Sequence, residues 1–549
     1  AWRARRRLGL SAAQAAHIER AVWSVARGVF FRYPNMRLNQ ANWYTGLALS
    51  AAEVTGDHAI VRGDLRRQLV RFLRGATHAT RPWAIPNYSA SWSYHRSPFS
   101  PVSGHENVES TEYANIVLEL LLHERQARRM GMAPLGPREH AILRAIAMRA
   151  VPAYWTHSGY PNWDTGMYLQ RWHSGAYWGF SLQGLFAVAM APPGDSGDTA
   201  GWAKWIFDRA LATYARMAGT RGSRSPVNPV FPVNTTMGTS TSVFAARFQH
   251  QAARAAWMGL GSRRAVKPPP LYAYDPRIGR LAVSTPHYNT AVVAVSNGAF
   301  PYGGLEPARL YDGDQRVASG IGGAGSGAFG ITAADGAGRI VLRTQQPIRT
   351  LPSAARPPLD LLRSPRGHVR AGIAYPRTPY AGAFTDLEVT AVREGGGVRV
   401  RATHRFRSTH IVSRWSAVRH APGRRDVVAH FPTWGAHAVV RARLGDGTTL
   451  DVARAGRIHR PVALADVRWL HLDAGGDGGY VVVVRRAPSG TMLAAGRPPA
   501  GSSNPSPGPT VILRVTPRAA WRRLTVEVAY TPAGTLARAE ELAPGLRAG

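Results

Sequence analysis

Residues 261–279 read GSRRAVKPPPLYAYDPRIG, and the hydrophobic period changes across them. Upstream, AAQAAHIERAVWSVARGVF (12–30), NVESTEYANIVLELLLHERQARRMG (107–131) and GPREHAILRAIAMRAVPAYW (136–155) repeat apolar residues every three or four positions. GFSLQGLFAVAMA (179–191) and GWAKWIFDRALATYARMAG (201–219) do the same, which is the period of a helix with one buried face. Downstream, RLAVSTPHYNTAVVAVSN (280–297), LEVTAVREGGGVRVRATHRF (387–406), GYVVVVRRAP (479–488) and RRLTVEVAYTP (522–532) follow the two-residue period of strands. Pro268, Pro269 and Pro270 lack backbone donors and end the helical pattern, so residues 263–272 read as a linker.

The predicted fold class is multidomain α+β. Residues 1–262 are read as a helical domain, 273–450 as a central antiparallel β-sandwich, and 451–549 as a smaller C-terminal β-sandwich portion. EGGG (394–397) and GDGTT (445–449) are hairpin turns, and PPAGSSNPSPGPT (498–510) is a surface loop between strands. The helices alternate with long polar loops rich in aromatic residues, such as RPWAIPNYSASWSYHRSPFSPVSGHE (81–106). Long loops in a compact domain are usually functional or disordered, and this much Trp and Tyr argues against disorder. Paired helices joined in this way predict an (α/α) toroid whose loops line a cleft.

A chain of 549 residues exceeds one ordinary core. No apolar run is long and uniform enough to span a bilayer, and no membrane partner is expected. The opening AWRARRRLGL suits a mature end left after export, and the lack of cysteine excludes disulfides and thiolate metal sites. A secreted bacterial protein, acting as a monomer, is the expectation. The formal charge of +36 is almost all arginine, since Lys204 and Lys267 are the only lysines. A GC-rich genome also writes arginine for lysine, so part of this is codon drift, but the excess of cations over carboxylates creates a field that gathers polyanions.

The stretch DTGMYLQRWHSGAYWGFSLQGL (164–185) sets Asp164, Tyr168, Arg171, Trp172, His173 and Tyr177 ahead of an apolar helix. Aromatic packing beneath a loop is one account of it. It also resembles a segment of polysaccharide lyase family 8, the hyaluronate, chondroitin and xanthan lyases. In that family an Asp-Gly stretch leads through a histidine to a Thr-Gly-Ala-Tyr-Gly turn and an apolar helix. SGAYWGFSLQGL matches the turn and helix, so the resemblance makes Tyr177 the catalytic tyrosine. Tyr168 stands at the spacing of the family's histidine and His173 lies closer, as if the intervening loop were shorter. QANWYTGLALS (40–50) resembles the family's early cleft helix, with Asn42, Trp43 and Tyr44 in the Asn-Trp-Trp places. MAGTRGSRSPV (217–227) resembles its Arg-Gly-x-x-x-Ser-Arg run, which makes Arg221 and Arg224 contacts to acidic sugar.

His105, Glu106, Asn107, Glu109 and Tyr113 cluster where a long helix begins. A capping box explains the acidic residues without a catalytic role. The resemblance adds an asparagine that neutralises the substrate carboxylate; Asn107 is the first choice and Asn162 the second. In β-elimination a base removes the proton at C5 of a uronic acid and the glycosidic oxygen leaves from C4. Asn or Arg hydrogen bonds must stabilise the carbanion. A tyrosine whose pKa is lowered by nearby cations can take the proton and pass one to the leaving oxygen. His173 or His105 could serve as base instead. The catalytic set is therefore Tyr177, His173, Asn107, His105 and Arg221, with no cofactor and no metal required. Trp43, Trp92, Trp163, Trp172 and Trp178 are candidates to stack on sugar rings.

STPHYNTAVV (284–293) opens the sandwich, and His287 there could lean over the cleft, although polar residues at a strand edge are the plainer account. His404, His410 and His420 fit no usual metal spacing and read as exposed or sheet-face residues. A glycoside hydrolase on the same architecture is the main rival, using Asp164 with Glu106 or Glu109. Arginine is spread over both halves and no nucleic-acid module is present, so the expected partner is an acidic polysaccharide, not nucleic acid. GIGGAGSGAFG (320–330) lies among strands and precedes no helix, which argues against a phosphate cradle.

Overall fold

A computed structural model describes residues 2–32, 38–75, 118–157, 159, 175–194, 198–218, 249–275, 280–293, 305–312, 318–320, 329–345, 369–370, 373–374, 381–384, 386–434, 438–454, 457–458, 460–475, 478–496, 507–515 and 521–548. Helices and antiparallel sheets make an α+β protein with a sandwich-like arrangement. The helices are α1 (Ala12–Arg32), α2 (Leu38–Thr55), α3 (Arg66–Gly75), α4 (Leu120–Arg129), α5 (Pro137–Tyr154), α6 (Gly175–Met190) and α7 (Thr199–Ala218). Pro137 fits the first turn of α5, where a missing donor costs nothing.

Helix contacts run from α1 to α2, α4, α6, α7, α5 and α3. From α3 they return to α2 through the π-helical turn Val61–Leu65. One apolar core fills this assembly, with Trp155 and Leu185 fully buried.

The proline-rich connection is held at two points. Arg263 N–H donates to the Ala189 carbonyl at 3.2 Å and Val266 N–H to the Gly201 carbonyl at 3.1 Å. A side chain at 201 would meet Val266 Cγ2 at 2.9 Å, so glycine permits that approach. The chain then enters β1 (Leu271–Asp275), β2 (Arg280–Ser284), β3 (Tyr288–Val293) and β4 (Pro307–Asp312), which belong to a six-stranded antiparallel sheet. Its two faces serve different cores. Ala273 and Ala282 pack into the helical core, whereas Tyr272, Leu281 and Val283 pack into the sandwich core. Small residues on the helical side let α5 lie against β1 and β2.

The sandwich proper pairs an eleven-stranded sheet with a six-stranded one. The large sheet contains β5 (Leu387–Gly395), β6 (Val398–Phe406), β7 (Ile411–Arg419), β8 (Val439–Leu444), β9 (Val467–Gly475), β10 (Gly478–Arg486) and β11 (Arg523–Pro532). Gly396 and Gly397, at φ 56° and 77°, make the turn from β5 to β6, a conformation that suits glycine. The sheet order is β8-β9-β10-β11-β7-β6-β5, so strands from both sides of residue 450 belong to one sheet. Between the sheets, Phe329 packs on Trp415, Phe431 and Tyr530 with centroid separations of 4.9–5.6 Å. A final helix, α8 (Leu536–Ala548), covers part of the outer face of β9, β10 and β11, burying Val481, Val483, Ala529 and Leu546 in a third core.

Candidate functional site

The stretch that the sequence singles out falls between α5 and α6, and the described residues include both of its flanks. At the α5 end, Trp155, Thr156 and His157 are buried. His157 N–H donates to Asn289 Oδ1 on β3 at 3.1 Å, joining the helical domain to the first sheet. The His157 ring also meets Trp205 of α7 edge-on, 6.1 Å between centroids. Gly159 has φ 78°, and a side chain there would lie 2.8 Å from the Ala210 backbone nitrogen. Only glycine lets the chain leave the junction so close to α7. At the other end α6 begins at Gly175, which puts Tyr177 in its first turn. The positive end of the helix dipole lies there and favours an anion over a neutral group.

Asn42 and Trp43 lie on α2, which contacts α4, and α4 contacts α6. His287 is exposed in the tight turn between β2 and β3. Its N–H and that of Tyr288 donate to Thr285 Oγ1 at 3.1 and 3.0 Å. Asn289, two residues on in β3, accepts from the His157 N–H. Tyr288 is buried and its hydroxyl donates to the Arg407 carbonyl at 2.6 Å. Burial pushes that hydroxyl well above its ordinary pKa, which suits a structural clamp. Trp92, His105, Glu106, Asn107, Glu109, Asn162, Trp163, Asp164, Arg171, Trp172, His173, Arg221 and Arg224 lie outside the described residues. The contact between His157 and Asn289 was not singled out from sequence; a polar residue alternating with apolar ones on a strand was the available signal.

A second group of titratable side chains lies inside the sandwich. His404 is fully buried on the core-facing side of β6, a sheet-face residue, whereas His410 is buried just ahead of β7, which corrects its reading as exposed or sheet-face. His420 is exposed, with Glu394 3.5 Å away. His404 Nε2 lies 2.7 Å from the Leu305 carbonyl, which can only accept, so Nε2 carries the proton. Nδ1 then accepts from the Ser413 hydroxyl at 2.8 Å. Ser413 Oγ in turn lies 3.1 Å from the Tyr530 hydroxyl. Beside His404, Glu306 accepts from Trp415 Nε1 at 2.8 Å. Burial pushes Glu306 up to about 8, against the hydrogen bonds of Thr344 and Trp415. Burial holds His404 down to about 4. The neutral forms of both groups suit their full burial. Among the described residues no group of histidines and carboxylates could hold a metal ion. None of the described helices is long and apolar enough to cross a membrane.

No family model matches the chain, and no curated protein matches it. Solved structures do. The chain is similar to heparan sulfate lyase HepC from Pedobacter heparinus at TM-score 0.32 and 8% identity, covering 90% of this chain and 68% of that one. A structure of heparinase III matches at TM-score 0.33 and 11% identity, with 90% and 69% coverage. A Paenibacillus xanthan lyase matches at TM-score 0.31 and 9% identity, covering 97% of this chain and 59% of that one.

Proposed function

We propose that this protein is a polysaccharide lyase that cleaves a uronic-acid-containing chain by β-elimination. The observation that carries the reading is the position of Tyr177 in the first turn of α6, at the end of a loop whose other flank is tied to the sheet by His157 and Asn289. A helix N-terminus lowers the cost of a phenolate, and the surplus of arginine lowers it further. As phenolate, Tyr177 takes the C5 proton; the C4–O bond breaks, a C4=C5 double bond forms, and the leaving oxygen receives a proton. Asn107 or Asn162, with Arg221, neutralises the substrate carboxylate, and His173 or His105 supports the proton transfer. Asn42, Trp43, Trp92, Trp163, Asp164, Arg171, Trp172, Arg224 and His287 bind the chain. The helical contacts that lead from α2 around to α3 and back support an (α/α) toroid as the frame. On this reading the enzyme is secreted, acts as a monomer on an acidic polysaccharide, and uses no cofactor.

Ultraviolet absorbance tests the proposal directly. The protein is mixed separately with hyaluronan, chondroitin, xanthan, alginate, heparan sulfate and glucuronan. Elimination yields a conjugated unsaturated uronate that absorbs, and Tyr177→Phe should lower its rate by at least about 100-fold. New reducing ends without absorbance would mean hydrolysis and move the roles to Asp164 with Glu106 or Glu109. Near-wild-type turnover by Tyr177→Phe would remove the tyrosine from the mechanism.

A further inference from the structure

The outer face of the eleven-stranded sheet changes character along its width. Where α8 lies, it is apolar, with Val412, Val481, Val483 and Ala529 covered. Beyond the helix, β5, β6 and β7 present Arg399, Arg401, Arg405 and Arg414 around a shallow depression of 490 Å³. The burial alternation of β6 sends Val398, Val400 and Ala402 into the core and leaves Arg399, Arg401 and Arg405 exposed. Arg405 pairs with Glu388, and Arg414 lies 4.0 Å from Glu527. Among the described residues neither Arg399 nor Arg401 has a carboxylate within 4 Å, although Glu394 stands opposite Arg399 in the β5–β6 register. Thr390 and Thr403 stand between the arginines, their hydroxyls 3.3 Å apart.

We propose that this face is a second binding surface for an acidic polysaccharide, in addition to the site proposed at Tyr177. The row from Arg399 to Arg405 runs about 20 Å at strand rise, enough for several sugar units. Arginines at alternate positions meet carboxylate or sulfate groups with forked hydrogen bonds, and the threonine hydroxyls meet sugar hydroxyls. None of the residues lining the depression is aromatic, so it has no platform on which bases could stack. Charge and hydroxyls together therefore favour a glycan over single-stranded nucleic acid. The identity of the ligand rests on the reading of the protein as acting on an acidic polysaccharide; the surface itself does not depend on Tyr177.

The test is binding of size-fractionated heparan sulfate, measured at stepped salt concentrations, to the wild type and two double variants. Arg399→Gln/Arg401→Gln should bind roughly tenfold more weakly at low salt, with a shallower salt dependence. Arg339→Gln/Arg424→Gln removes the same charge elsewhere on the surface and should stay within about twofold of wild type. Equal losses in both variants would mean that net charge alone is responsible, and no loss in the first would overturn the surface. Tighter, Arg399- and Arg401-dependent binding of a short duplex DNA would overturn the choice of partner. Turnover of a short oligosaccharide should be unchanged in Arg399→Gln/Arg401→Gln. Failure to cleave any polymer, with arginine-dependent binding intact, would defeat the lyase reading and leave this surface standing.

Discussion

Replacing Glu306 by glutamine isolates one source of pH-dependent stability. The carboxyl is fully buried, and burial raises it from an ordinary 4.5 to about 8. Between those values the folded protein holds a proton that the unfolded chain has released. Stability from this group is thus complete below pH 4.5 and declines as pH rises through 8. At about 1.4 kcal/mol per unit, the whole shift corresponds to about 5 kcal/mol. His404 and His430, each lowered to about 4 by burial, influence only the region below 6.5. Glu306 therefore dominates this buried set between pH 6.5 and 8, where wild-type stability should fall by about 2 kcal/mol. Glutamine keeps the acceptor for Trp415 Nε1 and cannot ionise. Urea denaturation followed by tryptophan fluorescence at each pH measures the slope. Glu306→Gln should be nearly flat from pH 6.5 to 8. An alkaline slope as steep as that of the wild type would show that Glu306 is ionised when folded, and would refute the reasoning.

Two further outcomes follow from the same structure. His404 and His430 are folded in their neutral forms, so stability should decline as pH falls from 6.5 toward 4, when the unfolded chain gains protons that the folded state resists; an acid titration of the urea midpoint checks this, and a flat profile would count against it. Asn289→Leu should cost about 1–3 kcal/mol in chemical denaturation, because the buried His157 N–H loses its acceptor across the helix–sheet junction.

Local chemistry made part of this fold readable. Pro268 to Pro270 and the change of period mark the passage from helix to strand, and Gly396 with Gly397 marks a hairpin whatever lies around it. Pairing between distant strands has no such local mark. β7 and β11 are neighbours although about a hundred residues separate them, which is how one sheet comes to cross position 450. RLAVSTPHYNTAVV looks like a continuous run of strand, yet Thr285 closes it into a tight turn through its own side chain. The C-terminal helix was hidden because Pro544 reads as a breaker inside a short, alanine-rich segment. Its stability comes from packing on Val481, Val483 and Ala529, a tertiary cause. For the candidate site, sequence singled out Tyr177 ahead of an apolar helix, which runs from Gly175, but not the contact between His157 and Asn289 at the other end of the segment.

The arginine surplus makes little sense as a device for folding. The chain has 68 cations and 32 carboxylates, so even one-to-one pairing of every carboxylate would leave 36 cations without one. Most ion pairs of the described residues have at least one exposed partner, where solvent screening leaves little net stabilisation. Unpaired cations repel one another in the compact state, so their net effect on stability is adverse. Codon bias would favour arginine over lysine, but it would not make carboxylates scarce. The exposed face of β5 to β7 shows where part of that charge is concentrated, on a sheet surface whose neighbouring half is sealed by α8. A polyanion held there would relieve the repulsion.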